Sequence, residues 1–104
     1  MSARKRPLLL SRQTRNDLRD IEAYTLARWD EQQWSVYEEA LARALATIEE
    51  HPDLGRQRPE LGAGLRPYVV REHIVYYRVG DASILVLRIR HGRSDPRRTS
   101  RNAP

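Results

Sequence analysis

The stretch Ala82-Ser83-Ile84-Leu85-Val86-Leu87-Arg88-Ile89-Arg90-His91-Gly92-Arg93 decides how the rest of the chain must fold. Its first half is the most apolar run in the protein and has the length and composition of a buried strand, while its second half delivers one arginine after another. Strand side chains alternate between two faces, so regular pleating puts Leu85, Leu87 and Ile89 on one side and Ile84, Val86, Arg88 and Arg90 on the other. The first side is wholly apolar. The second turns basic where the strand leaves the core. His91 continues the apolar side and reads as a hydrogen-bonded structural histidine.

Before this strand, Leu65 to Val70 and His73 to Val79 are further β-branched or aromatic runs, divided by turn residues at Arg71-Glu72 and Gly80-Asp81. Together with Ala82 to Arg90 they predict a three-stranded antiparallel meander. Further upstream, Asp53 to Gly64 holds Gly55, Pro59, Gly62 and Gly64 and reads as an irregular loop carrying Arg56 and Arg58. Trp34, Tyr37, Leu41, Leu45 and Ile48 recur at helical spacing, which predicts a helix capped by Asp30 and stopped by Pro52 just after His51. Trp29 and Trp34 occupy the positions of a hydrophobic staple around that cap. A first helix runs to about Trp29, with Leu18, Ile21 and Thr25 on one stripe. Ser11 or Thr14 caps it, and Thr14-Arg15-Asn16-Asp17 carries the capping-box pattern. Pro7 to Ser11 fits a short first strand. With almost no linker at Asp30, the two helices form an antiparallel hairpin.

The expected fold class is therefore α+β: an N-terminal strand, an antiparallel helical hairpin on one face of the sheet, then the meander, with the other face open. At 104 residues this is one domain, residues 1–104, in which 1–6 form a basic arm and 95–104 a flexible tail.

Composition narrows the function. The chain has no cysteine, and His51, His73 and His91 are scattered without metal-ligand spacing, so no metal site and no cofactor are expected. Leu8-Leu9-Leu10 after Arg4-Lys5-Arg6 is too short for a signal peptide, and no run approaches the roughly 20 apolar residues of a membrane span; the expected compartment is the cytoplasm. A formal charge of +5 favours a polyanionic partner. All but Lys5 of the 19 basic residues are arginine, whose planar fork suits bidentate contacts to phosphate or carboxylate. The candidate target-binding surface is Arg66, Arg78, Arg88, Arg90 and Arg93, a basic strip that Tyr76 joins if it shares the open face. Neither helix carries a basic recognition face, so no sequence-specific nucleic-acid contact is expected. His51 and His73 read as a helix end and a turn position. Glu38, Glu39, Glu49 and Glu50 read as a solvated helix face.

Several short patterns together carry a family likeness: Asp17-Leu18-x-x-Ile21-x-x-Tyr24, Trp29 with Gln33, His51-Pro52-x-x-Gly55, Gly64-Leu65-Arg66, Val75-Tyr76-Tyr77-Arg78-Val79 and Ile89-x-His91-Gly92-Arg93. In this order and spacing, over about residues 7 to 95, the chain resembles the ParE branch of the RelE/ParE toxin superfamily. The resemblance implies the toxin of a bacterial type II toxin-antitoxin pair that binds and blocks DNA gyrase without itself catalysing a reaction. It also implies a cognate antitoxin, whose disordered segment folds onto the toxin, and a toxin-antitoxin hetero-oligomer. Leu8, Leu9 and Trp29 are the apolar residues expected to meet that antitoxin.

RelE-like relatives are instead ribosome-dependent messenger-RNA endonucleases, the alternative that the resemblance leaves open. Their chemistry needs a proton acceptor near a ribose 2'-hydroxyl, a donor at the leaving oxygen and cations against the developing charge. Here Ile74 stands where such enzymes carry a strand arginine, the middle strands lack lysine, and no tyrosine follows Tyr77. Only His91 and Arg93 remain as catalytic candidates. Each missing acid-base group is worth about 100- to 10,000-fold in rate, so the resemblance favours a binder over a nuclease.

Overall fold

A computed structural model describes residues 6–94; all but Arg6 of the expected arm over residues 1–6, and the tail over 95–104, lie outside the described residues. The elements are β1 (Leu8–Leu10), α1 (Arg12–Arg28), α2 (Glu31–Glu50), a 3-10 turn (Pro52–Leu54), β2 (Leu65–Val70), β3 (His73–Val79), β4 (Ile84–His91) and a final 3-10 turn (Gly92–Ser94). They form one four-stranded sheet in the order β1-β4-β3-β2. The meander is antiparallel, and β1 joins its β4 edge in parallel, pairing Leu8 with Ile84 and Leu10 with Val86. This is the expected α+β architecture.

Helix starts follow local chemistry. Ser11 is the cap of α1, accepting from the Thr14 N–H at 3.0 Å, and Asp30 caps α2, accepting from the Gln33 N–H at 2.9 Å. The capping-box reading of Thr14 and Asp17 is corrected: Thr14 lies inside α1, fully buried, and its hydroxyl donates to the Val86 carbonyl at 2.9 Å. Asp17 likewise spends its carboxylate on β4, accepting the Ile89 N–H. Trp29, the staple candidate, stands 65% exposed, whereas Trp34 packs at the core margin.

The core lies between the helices and one sheet face. Ile21, Leu41, Ala44 and Ile48 of the helices meet Val70, Val75, Tyr77, Ile84, Val86 and Ile89 of the sheet. That membership corrects the regular alternation expected for β4. Tyr77 pairs with Val86 while Tyr76 pairs with Arg88, so Leu87 is an extra residue and β4 carries a bulge there. Before the bulge Ile84 and Val86 face the helices; after it Ile89 takes that role, because the bulge shifts the phase by one. Leu85 and Leu87 are thereby turned away from the core. The extra residue leaves the Leu87 carbonyl outside the β3 ladder, and the Ser11 hydroxyl, 2.9 Å away, donates to it.

One further anchor fixes the loop before β2. Tyr77, fully buried, donates from its hydroxyl to the Pro52 carbonyl at 2.7 Å and accepts from the Gly55 N–H at 2.8 Å. Any side chain at residue 55 would stand 2.7 Å from the Pro67 carbonyl oxygen, which is why glycine sits there.

Candidate functional site

The face of the sheet away from the helices carries a groove of about 320 Å³, lined by Leu61, Leu65, Tyr76, Arg78, Leu87, Arg88 and Arg90. Leucines and Tyr76 form its floor and arginines its rim. The bulge builds this place: by shifting the phase it sets Leu87 beside Arg88 and leaves Arg90 on the open side. Among the described residues its lining contains no carboxylate and no histidine.

The candidate arginines are not equivalent. Arg78 is exposed, and its Nε donates to the Ala63 carbonyl at 2.8 Å. Arg90 is exposed at the groove margin. Arg88 is held from the other side: its Nε and Nη2 donate to Asp17 at 2.8 and 3.0 Å, a bidentate pair that also keeps the guanidinium pKa above its ordinary value. Asp17 accepts the Ile89 N–H at 2.9 Å as well, satisfying the β4 edge beyond the end of β1. Arg66 lies on the helix-facing side, opposite Tyr77; its guanidinium donates to the Gly55 carbonyl and approaches Asp53 at 3.7 Å. It belongs to the loop anchor and is not brought into the groove. Arg93 sits in the last 3-10 turn with its side chain exposed.

Two of the three histidines, His73 and His91, meet on the opposite side of the sheet. His73 and His91 are direct cross-strand partners, their rings edge to face with centroids 5.3 Å apart. The Tyr37 hydroxyl from α2 shares a hydrogen bond with His73 Nδ1, and the rings meet at 5.5 Å. Burial, then the neighbouring His91, lowers the His73 pKa; burial, then the Glu72 charge, pushes Tyr37 up to about 12. His91 Nδ1 accepts the Arg93 N–H at 3.0 Å. So His91 and Arg93, the nuclease candidates, are adjacent through the backbone, while the groove arginines Arg78 and Arg90 lie on the other face from both histidines. Reading His73 as a plain turn residue is corrected by its place in this cluster.

Among the apolar candidates for a partner, Leu9 is 50% exposed and Trp29 is open to solvent, whereas Leu8 packs against the core. Tyr24, Leu26 and Val36 add exposed apolar surface on the helices. Asp17, Tyr37 and the groove leucines had no local sequence signal as site residues, since each acts across the fold. Among the described residues no group of three or more possible metal ligands occurs, and no helix is long and apolar enough to cross a membrane.

Comparison with known proteins identifies the family of this fold. Residues 8–96 match the family model described as ParE toxin of type II toxin-antitoxin system, parDE. The chain is 36% identical over 86 residues to Toxin ParE1 of Caulobacter vibrioides, covering 83% of this chain and 88% of that protein. A solved structure titled "Chromosomal ParDE TA system from P. aeruginosa" shares the fold at a TM-score of 0.74 with 18% identity, over 84% of this chain and 96% of that one. With an arginine-rimmed groove on its open sheet face, a helical hairpin on the other and a family match across nearly all of the described residues, the chain belongs to the ParE toxins of type II toxin-antitoxin systems.

Proposed function

We propose that this chain inhibits DNA gyrase by binding it, and that a cognate antitoxin neutralises it by covering the toxin's exposed apolar and basic surface. The observation that carries the reading is the separation of the groove arginines Arg78 and Arg90 from the histidines His73 and His91. The open-face groove offers Arg78 and Arg90 over a leucine floor, a surface suited to an acidic protein segment with bulky apolar side chains. A phosphodiester-cleaving site would need a base and an acid beside those cations. Among the described residues that line the groove, Tyr76, buried to 7% exposure, is the one group besides arginine able to exchange a proton. His73 and His91 lie on the far side of the sheet.

Membership of the ParE toxins and likeness to Toxin ParE1 support the toxin role. Leu9 and Trp29 are exposed apolar residues that a folding antitoxin segment would cover; Leu8 contributes from beneath. The protein acts in the cytoplasm on this reading, with no cofactor. The test is supercoiling by purified gyrase in the presence of the full chain. Supercoiling stops as the protein is titrated and returns when the antitoxin is added. Unaffected gyrase, together with new message ends in primer extension on translating ribosomes, would replace this reading with the nuclease one.

A further inference from the structure

Ser11 works twice through one oxygen. As the cap of α1 it accepts the Thr14 N–H at 3.0 Å, and as a donor its single proton faces the Leu87 carbonyl and Thr14 Oγ1, each 2.9 Å away. A cap needs only an acceptor, and aspartate or asparagine fills that role as well as serine does. The second role needs a proton to give, which an ionised aspartate lacks. Ser11, Thr14 and Asp17 stand three apart on one stripe of α1, and this stripe takes over the β4 edge where β1 ends at Leu10. The Ser11 N–H and the Thr14 hydroxyl serve the Val86 carbonyl, the Ser11 hydroxyl serves the Leu87 carbonyl, and the Asp17 carboxylate receives Arg88 and the Ile89 N–H. The β4 segment from Val86 to Ile89, bulge included, is thus held from the helix side, while Leu87 and Arg88 line the groove.

We propose that Ser11 is a positioning residue for the groove: by donating to the Leu87 carbonyl it fixes the bulge, and so holds Leu87 as groove floor without touching anything bound there. The extra residue takes that carbonyl out of the β3 ladder, so the orientation of its peptide unit is set from α1. Thr14 and Asp17 secure the residues on either side; Ser11 secures the extra residue itself. Serine at this cap is therefore selected by the groove as well as by the helix. The consequence for binding rests on the reading that this groove meets the target.

The experiment compares four full chains: the native one, Ser11→Thr, which keeps acceptor and donor, Ser11→Asp, which keeps the cap and loses the donor, and Thr14→Val, which loses the buried bond to Val86 and leaves the Ser11 proton to Leu87. Each is followed by urea unfolding, by methyl NMR of Leu87 and of the core residue Leu41, and by gyrase supercoiling. In Ser11→Asp the Leu87 methyl signals shift and broaden while those of Leu41 stay, and the concentration for half inhibition rises about two- to fivefold, the upper figure being a hydrogen bond worth about 1 kcal/mol. Ser11→Thr matches the native chain. Thr14→Val has a lower urea midpoint with near-native Leu87 signals and inhibition, which separates positioning from stability. Native Leu87 signals in Ser11→Asp, equal disturbance of Leu87 in Ser11→Asp and Thr14→Val, or a displaced Leu87 with undiminished inhibition would each overturn the proposal. A native chain that leaves gyrase untouched removes the gyrase reading instead, and the Leu87 methyls alone then decide whether Ser11 sets the groove.

Discussion

Replacing Asp17 by alanine isolates the tie between α1 and the sheet. The carboxylate is 12% exposed and receives three hydrogen bonds, two from Arg88 at 2.8 and 3.0 Å and one from the Ile89 N–H at 2.9 Å. The two donors lose unequally. Arg88 is 38% exposed, so its guanidinium turns into water, and the pair contributes about 0–1 kcal/mol. The Ile89 N–H sits on a β4 edge with no strand beyond β1, and leaving it unsatisfied costs about 1–3 kcal/mol. Asp17→Ala should then lose about 2–3 kcal/mol, roughly 10–20 °C in Tm for a domain of this size. Asp17→Asn keeps a carbonyl oxygen for Ile89 and should lose about 1 kcal/mol or less. Urea unfolding followed by tryptophan fluorescence reads both. A loss under about 0.5 kcal/mol for alanine, or equal losses for alanine and asparagine, would refute the assignment of the backbone bond as the dominant contribution.

Other expectations concern the loop anchor and the histidine cluster. Tyr77→Phe removes the acceptor of the buried Gly55 N–H and should cost about 1–3 kcal/mol in the same unfolding assay. Gly55→Ala should be at least as damaging, because its new methyl group would meet the Pro67 backbone oxygen at 2.7 Å, and chymotrypsin should then cut the loop after Leu54 faster. Burial keeps His73 neutral below its ordinary 6.5, so the unfolded chain takes up a proton that the folded one refuses. Stability from this residue is complete above 6.5 and declines as pH falls from there through the lowered native value; urea midpoints from pH 8 to 5 show the decline, and His73→Gln flattens it. Tyr37 carries the opposite sign: its pKa is raised from 10.0 to about 12, so its contribution is complete below 10 and lost as pH climbs toward 12, with Tyr37→Phe removing that slope.

Much of the fold was legible because the controlling signals are local. The Asp30 cap, the stop at Pro52 and the leucine stripe of α2 each involve residues within a turn or two of one another. Long-range decisions were not legible. The capping-box pattern at Thr14 and Asp17 looked complete in four residues, yet both side chains spend their hydrogen bonds on β4, more than 70 positions away. The bulge at Leu87 has no marker in a run of branched aliphatics; only the register against Tyr76 and Tyr77 reveals it. It reversed the face assigned to Leu85 and Leu87 and turned Leu87 from core into the floor of the groove. Of the five arginines picked from the sequence, Arg78, Arg88 and Arg90 meet in that groove, Arg66 was claimed by the loop carbonyl of Gly55, and Arg93 lies in the terminal turn. The His73–His91 pairing was hidden by the same bulge: counting outward from Val79 opposite Ile84 without it brings His73 opposite Arg90, and the extra residue Leu87 moves it to His91.

The most direct test of the binding account compares the native chain with the Arg78→Glu/Arg90→Glu double variant in a gyrase supercoiling assay, with circular dichroism confirming that both are folded. Two exposed contacts worth about 0.2–1 kcal/mol each, reversed in sign, should raise the inhibitory concentration about tenfold or more. The account predicts inhibition by the native chain and that loss in the variant. Equal inhibition by both, or none by either at large molar excess, would contradict it.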